Sequence, residues 1–286
     1  MKIVISPNPY RDKQFRHAQK VKSVVEECGF TAELCLPFEV DKSFEIPAGL
    51  EISKISDALD NCDIFVCLGG DGTILHASRL VSDRGIPILG INIGTLGFMA
   101  ELECNDIQQI RKLAEENCKI EERMMLKVSV ISGGKTVFTD HALNDAVITK
   151  GAVARVLQMN VARNEEEVFS CSGDGIILAT PTGSTAYSLS AGGPVVVPTA
   201  KNILITPICA HGLNFNSIVT EASGNISVTV DKVGRRSAFL SVDGGRAFRL
   251  EANDTVVVEK SPHVTRLVRL SDKAFFQTIN RKFYNR

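Results

Sequence analysis

Gly69-Gly70-Asp71-Gly72-Thr73 follows an apolar run, Asp63 to Leu68, and precedes an apolar-periodic stretch, Ile74 to Val81. This order predicts a strand, a turn too tight for side chains, one carboxylate and a helix start. Glycines let backbone approach an anion closely, and the N–H groups of a helix N-terminus hold phosphate. A carboxylate amid such groups is electrostatically awkward unless it meets a cation or takes a proton. The turn therefore points to phosphoryl transfer, with Asp71 as helix cap standing as the structural alternative.

Three further clusters share its character. Asn144-Asp145 sets an amide beside a carboxylate, a pair able to grip a vicinal diol or simply to form a turn. Gly173-Asp174-Gly175 leads through an apolar strand, Ile176 to Thr180, into Pro181-Thr182-Gly183-Ser184-Thr185-Ala186-Tyr187-Ser188-Leu189-Ser190-Ala191-Gly192-Gly193-Pro194. That run is dense in hydroxyls and poor in apolar surface, as backbone pressed against a flat polar ligand would be, and Tyr187 could offer its ring to a base. A plain Gly/Ser-rich loop is the alternative. No Gly-x-x-x-x-Gly-Lys-Ser/Thr loop is present, and no Gly-x-Gly-x-x-Gly follows the first strand, so P-loop and dehydrogenase fingerprints are missing.

The elements that must position these groups fall into two textures. Up to residue 118 short apolar strands alternate with helices, including one over Asp12 to Cys28 and one capped by Asn105, which predicts a parallel sheet covered on both faces. From residue 119 strands dominate: Met124 to Ser132, Val153 to Arg163, Ile226 to Asp231, Ala238 to Val242, Thr255 to Lys260 and His263 to Leu270. Turn signals separate them. The expected fold class is α/β, an N-terminal Rossmann-like three-layer domain (1–118) with a second, mainly antiparallel β-sandwich domain (119–270). A tail, 271–286, is expected to return to the first.

Composition narrows the function classes. The 286 residues carry 32 basic and 33 acidic side chains, a net charge of −1, which leaves no electrostatic footprint for nucleic acid or an anionic membrane. No apolar run approaches the roughly 18 residues of a membrane span, and the start, MKIVIS, lacks a signal-peptide shape. The eight cysteines are scattered without a Cys-x-x-Cys pair, which predicts reduced, mostly buried thiols in a cytoplasmic protein. No His/Cys/Asp cluster is spaced for a metal cage.

Gly69 to Thr73, Leu143-Asn144-Asp145, and the run from Gly173-Asp174-Gly175 to Gly192-Gly193-Pro194 together resemble the motif set of the NAD kinase family, in order and at similar spacing over residues 60–245. The glycine turn alone is shared with lipid kinases. The resemblance implies transfer of the γ-phosphate of ATP, or of polyphosphate, to the 2′-hydroxyl of the adenosine ribose of NAD. It implies Asp71 as proton acceptor, Gly70, Gly72 and Thr73 as close backbone, and Asn144 with Asp145 on the ribose. Asp174, Thr182, Thr185, Ala186, Tyr187, Ser188 and Ser190 would bind the rest of the dinucleotide. Arg155 matches a basic position of the family and His76 falls one turn into the helix after Asp71; both could meet pyrophosphate, or be a surface arginine and a helix-face residue. Asp243 falls where the family has a polar site residue, although a hairpin turn explains it equally. A divalent cation, Mg²⁺ carried with ATP, and a homo-oligomer (dimer or tetramer) are further expectations. A lipid kinase and a nucleotide-sensing module without turnover are the competing readings.

Overall fold

The computed structural model describes all residues except 39, 41–43, 95–96, 116–117, 152–155, 212–215, 232–237, 272–274 and 284–286. The chain forms two units, residues 1–122 with 265–286, and residues 123–264.

In the first unit β1 (Lys2–Pro7), α1 (Arg16–Glu27), β2 (Thr31–Leu34), α2 (Ile55–Ala58), β3 (Ile64–Gly69), α3 (Asp71–Val81), β4 (Ile88–Asn92) and β5 (Leu102–Glu103) follow one another. The strands pair in parallel in the order β5-β4-β3-β1-β2. Every residue of β3 and β4 is buried, which is why both read as unbroken apolar runs rather than alternating ones. α1 buries Ala18, Val21, Val24 and Val25 on one face. It ends at Gly29, whose φ of 79° a side chain would resist.

Two local expectations need correction. Asp12 does not begin the helix; a 3₁₀ turn (Lys13–Phe15) intervenes, and the buried Asp12 carboxylate reaches past it to accept the N–H groups of His17 (3.0 Å) and Ala18 (2.8 Å). The segment expected to be a helix capped by Asn105 is a 3₁₀ helix, Cys104–Leu113, with Glu103 at its cap position. It still buries Ile107, Ile110 and Leu113.

The second unit is almost wholly strand. Its elements are β6 (Lys119–Ser132, starting just ahead of the boundary), β7 (Lys135–Ala142), β8 (Asp145–Lys150), β9 (Leu157–Arg163), β10 (Glu166–Gly173) and β11 (Gly175–Ala179). After α4 (Tyr187–Ser190) come β12 (Asn202–Ile208), β13 (Ile218–Glu221), β14 (Asn225–Asp231), β15 (Ala238–Val242), β16 (Phe248–Leu250) and β17 (Thr255–Arg269). One antiparallel sheet runs β13-β12-β11-β8-β15-β16. β10, β9, β14 and β17 pair in sequence as its partner layer, and β6 pairs both β17 and β7. Met159, Val161, Val228 and Val258 of this layer pack with Ile148, Ile176, Leu178 and Leu240 of the six-stranded sheet into one core.

β11 explains its own composition. Ile176 and Leu178 point into that core, whereas the intervening Ile177 and Ala179 pack with Val147, Leu204 and Ile208 on the opposite face. Both faces are covered, so alternation vanishes from an antiparallel strand.

The two strands expected over 255–260 and 263–270 are one continuous strand, β17, despite Pro262. It begins in the second unit and ends in the first, where Leu267 pairs with Ile88 and Ser78 Oγ lies 2.5 Å from Thr265 Oγ1. Beyond it Glu101, only 2% exposed, accepts hydrogen bonds from the Leu270 N–H (3.0 Å), the Ser271 hydroxyl (2.7 Å) and Arg269 Nη1 (3.3 Å). α5 (Phe275–Phe283) also belongs to the first unit and buries none of its residues. All eight cysteines are free thiols, but only Cys35, Cys67 and Cys171 are buried; four are half-buried and Cys209 is exposed, fewer buried than expected.

Candidate active site

Asp71 opens α3, yet it does not cap it. Gly70 holds the cap position, no side chain caps the first turn, and the Asp71 carboxylate turns instead toward the loop after β4. Oδ2 accepts the Phe98 N–H (2.8 Å) and Oδ1 the Met99 N–H (3.1 Å). Gly97 lies so close beneath the carboxylate that a Cβ there would collide with it. Four glycines border this carboxylate for different reasons. Gly69 leaves room for the buried Thr73 side chain, and Gly70 faces Arg11. Nothing lies within 4 Å of where a Cβ on Gly72 would be, and its φ is not positive. Neither packing nor conformation demands a glycine at 72, so its bare backbone leaves a surface open to a ligand.

A cavity of about 290 Å³ lies against this turn, lined by Asn8, Arg11, residues 70–73, Gly97 and Lys282. Asn8 is fixed by its own N–H to Leu68 O (2.9 Å) and reaches Thr73 Oγ1 with its side-chain amide (3.4 Å). His76, one turn into α3, has its Nε2 2.6 Å from Pro37 O, so that nitrogen donates to a backbone carbonyl. Its ring stands edge-on to Phe38 at 5.6 Å. Both contacts hold the ring on the face of α3.

In the second unit the Asn144-Asp145 corner is built by Asp243. That carboxylate accepts the N–H groups of Leu143 (2.7 Å), Asn144 (2.7 Å) and Asp145 (3.0 Å), and the Asp243 N–H returns to Asp145 O (2.9 Å). Asp243 sits at φ 47°, which aspartate tolerates better than most residues. Thr180 and Gly183 close the corner from the other strand: Thr180 N–H donates to Asn144 O (2.8 Å), Thr180 Oγ1 to Leu143 O (2.6 Å), and a Cβ on Gly183 would run into the Asn144 carbonyl. The Asn144 side-chain amide makes no hydrogen bond among the described residues.

Asp145 is buried, and its pKa is pushed up to about 7, first by loss of solvent and then by the nearby Asp243 carboxylate. A carboxyl near that pKa donates as well as accepts, which suits a ribose diol. The shift has a thermodynamic signature. The folded protein holds this proton where the unfolded chain, with an aspartate pKa of about 3.9, has released it. Its stabilising contribution is complete below about pH 4, falls as pH rises, and is gone once pH passes about 7. Urea midpoints should therefore decline over this window in the parent protein and stay flat in Asp145→Asn; equal slopes in both would assign the decline to other groups.

The hydroxyl-rich run is more inward than its composition suggests. Ser184 Oγ donates to Pro181 O (2.6 Å) and receives the Val196 N–H (3.1 Å). Ser188 is fully buried with its Oγ 2.9 Å from Thr206 Oγ1, so that hydroxyl braces the run against β12 instead of facing outward. Thr182 is buried and accepts from Arg123 Nη1 (3.3 Å), a buried cation the sequence did not single out. Thr185 and Ala186 are half-buried; Tyr187, 44% exposed, and Ser190 present themselves to solvent. Asp174 pairs with Lys150 Nζ at 2.6 Å in a partly exposed salt bridge, an interaction of small energetic value. Arg155 lies outside the described residues.

Residues 5–119 match the family model of the ATP-NAD kinase N-terminal domain, and residues 143–270 that of the ATP-NAD kinase C-terminal domain. An NAD kinase of Acetivibrio thermocellus is 38% identical over 289 residues, covering 100% of this chain and 98% of its own. An NAD kinase of Geobacter sp. is 40% identical over 233 residues, with 81% of each chain covered. Among solved structures, a yeast NADH kinase in complex with NADH superposes with a TM-score of 0.87 over 100% of this chain and 89% of its own, at 24% identity. An Archaeoglobus fulgidus NAD kinase in complex with ATP gives 0.74 over 98% and 97%, at 23% identity. The two structures support the shared fold, and neither a lipid kinase nor a sensing module finds support in the sequence matches. Full-length relatedness, domain by domain and in the same order, places this chain in the ATP-NAD kinase family.

Proposed function

We propose that the protein transfers the γ-phosphoryl group of ATP to the 2′-hydroxyl of the adenosine ribose of NAD, with Asp71 as proton acceptor. The observation that carries this reading is the Asp71 carboxylate, fixed by two backbone N–H groups on the wall of a cavity beside the open backbone of Gly72. A carboxylate offers about four acceptor positions, and the two N–H groups occupy two. The remainder can take the proton of a sugar hydroxyl, a weak nucleophile at neutral pH without such help. The transition state of phosphoryl transfer makes little covalent demand, so a rigid carboxylate and neutralising charge do most of the work.

Asn144 and Asp145 grip the ribose, with Asp243 acting through the corner it holds rather than by touching the nucleotide. Tyr187, Thr185, Ala186 and Ser190 supply the accessible part of the dinucleotide surface, joined by Asp174, Thr182 and Arg155. Mg²⁺ belongs to the donor. No group of three metal-ligating side chains occurs among the described residues, whereas magnesium is commonly held by substrate phosphates, water and one or two carboxylates. Asp71 is the carboxylate lining the cavity, and the cation bound with ATP neutralises its phosphate chain.

No helix among the described residues is long and apolar enough to cross a membrane, and eight free thiols suit a reducing cytoplasm. β13 and β16 close the six-stranded sheet at its two ends, and such edges favour pairing between subunits of a homo-oligomer.

Incubation with ATP, Mg²⁺ and either NAD or diacylglycerol tests the assignment, with NADP read by an NADP-specific dehydrogenase. NADP should appear with NAD, and phosphate should not move to the lipid. A protein that yields no NADP overturns the reading.

A further inference from the structure

Arg11 stands on the loop after β1, which the sequence reading passed over. Its backbone is fixed at both ends: the N–H groups of Arg11 (3.1 Å) and Asp12 (2.9 Å) both donate to Asn8 O, and the buried Asp12 carboxylate is tied into the start of α1. The guanidinium extends over two glycines. A Cβ on Gly94 would come within 2.9 Å of Arg11 Nη1, and one on Gly70 within 3.5 Å. No carboxylate among the described residues pairs with it. An arginine that merely dissolves a surface has no need of a rigid loop and two bare backbone positions beneath it.

The second cation is Lys282, on the exposed helix α5. Its ammonium sits 4.0 Å from the centroid of Phe98, the residue whose N–H holds Asp71 Oδ2, and the Phe98 ring also meets Phe283 at 5.9 Å. Arg11 and Lys282 line the same cavity as Asp71. The wall thus carries two cations and one carboxylate, an excess of positive charge aimed at an anion.

We propose that Arg11 and Lys282 bind the phosphate chain of the phosphoryl donor at the Asp71 turn. The inference rests on the reaction assigned above. The ribose hydroxyl and the donor's terminal phosphates must meet beside the carboxylate that receives the proton, and of these only the phosphates carry the negative charge that cations sharing its cavity would neutralise. A planar guanidinium can engage two phosphate oxygens at once, whereas the ammonium acts as a point charge. Arg11 is accordingly the stronger of the pair.

The test uses the full-length protein and separates binding from turnover. Titration calorimetry with ATP and Mg²⁺, without NAD, should show the affinity of Arg11→Ala reduced by about ten- to a hundredfold, the range for losing a hydrogen-bonded charge pair. Lys282→Ala should lose less, and Arg11→Lys should recover part of the loss. Inorganic tripolyphosphate should compete with ATP on the parent protein and much less on Arg11→Ala. In steady-state assays KM for ATP should rise while KM for NAD stays within about twofold. Unchanged ATP affinity in both alanine variants overturns the proposal, as does a rise confined to KM for NAD. A protein that binds ATP through Arg11 but yields no NADP would instead overturn the assigned reaction.

Discussion

Asp71→Asn is expected to lose at least about a hundredfold in turnover while still binding NAD, because acid–base assistance is typically worth about 10²–10⁴ in rate. The structure adds a second reason for the loss. Asn keeps one acceptor oxygen, so its amide nitrogen must face either the Phe98 or the Met99 N–H, donor against donor. The two effects separate by measurement. A loosened loop appears as a lower melting temperature and reaches ATP binding through Phe98 and Lys282; loss of the proton acceptor appears in kcat alone. A variant with the parent's melting temperature, parent-like NAD affinity and a collapsed kcat isolates the chemical role. Near-normal kcat would remove Asp71 from it.

Asp243→Ala should be the most destabilising polar truncation in the second unit. Three backbone N–H groups lose an ionised acceptor at once, and each hydrogen bond to a charged group is worth about 1.5–3 kcal/mol without strict additivity. A net loss of about 3 kcal/mol or more is expected in chemical denaturation. NAD affinity should fall with it, since Asn144 and Asp145 lose the group that orients them. Asp243 also contributes to the raised pKa of Asp145, so its removal should draw that pKa part of the way back and shrink the pH-dependent decline in stability. A loss below about 1 kcal/mol with unchanged NAD affinity would reduce Asp243 to a hairpin residue.

What the sequence disclosed depended on how local each signal was. The strand, glycine turn and helix around Asp71 are contiguous, and the structure reproduces the strand within one residue, while the helix starts at Asp71, three residues ahead of the apolar-periodic stretch. The α/β-then-sandwich layout was equally legible, because apolar runs buried on both faces and strand-rich texture are local properties. The direction of the Asp71 carboxylate was not. Its partners lie at Phe98 and Met99, and nothing in the turn distinguishes a cap from a long-range brace. Arg11 and Lys282 escaped for the same reason, one on an ordinary-looking loop and the other at the far end of the chain. The hydroxyls of 181–194 were read as facing a ligand because composition does not reveal a hydroxyl's partner; Ser184 and Ser188 spend theirs on Pro181, Val196 and Thr206. Two strands were read over 255–260 and 263–270, but the exposed position of Pro262 between them leaves β17 intact.

The route of β17 bears on how the protein is made. The lobe that starts first is completed last: Thr265, Leu267, Arg269 and Leu270, its partners for Ser78, Ile88 and Glu101, leave the ribosome only after the whole intervening sandwich. Until then Ile88 lacks its β17 neighbour and Glu101 lacks Arg269 and Leu270 as partners. Stalled nascent chains in which a C-terminal linker has carried Val264 just clear of the exit tunnel should expose the early lobe to protease while the sandwich resists digestion, and emergence of the remaining residues should protect both.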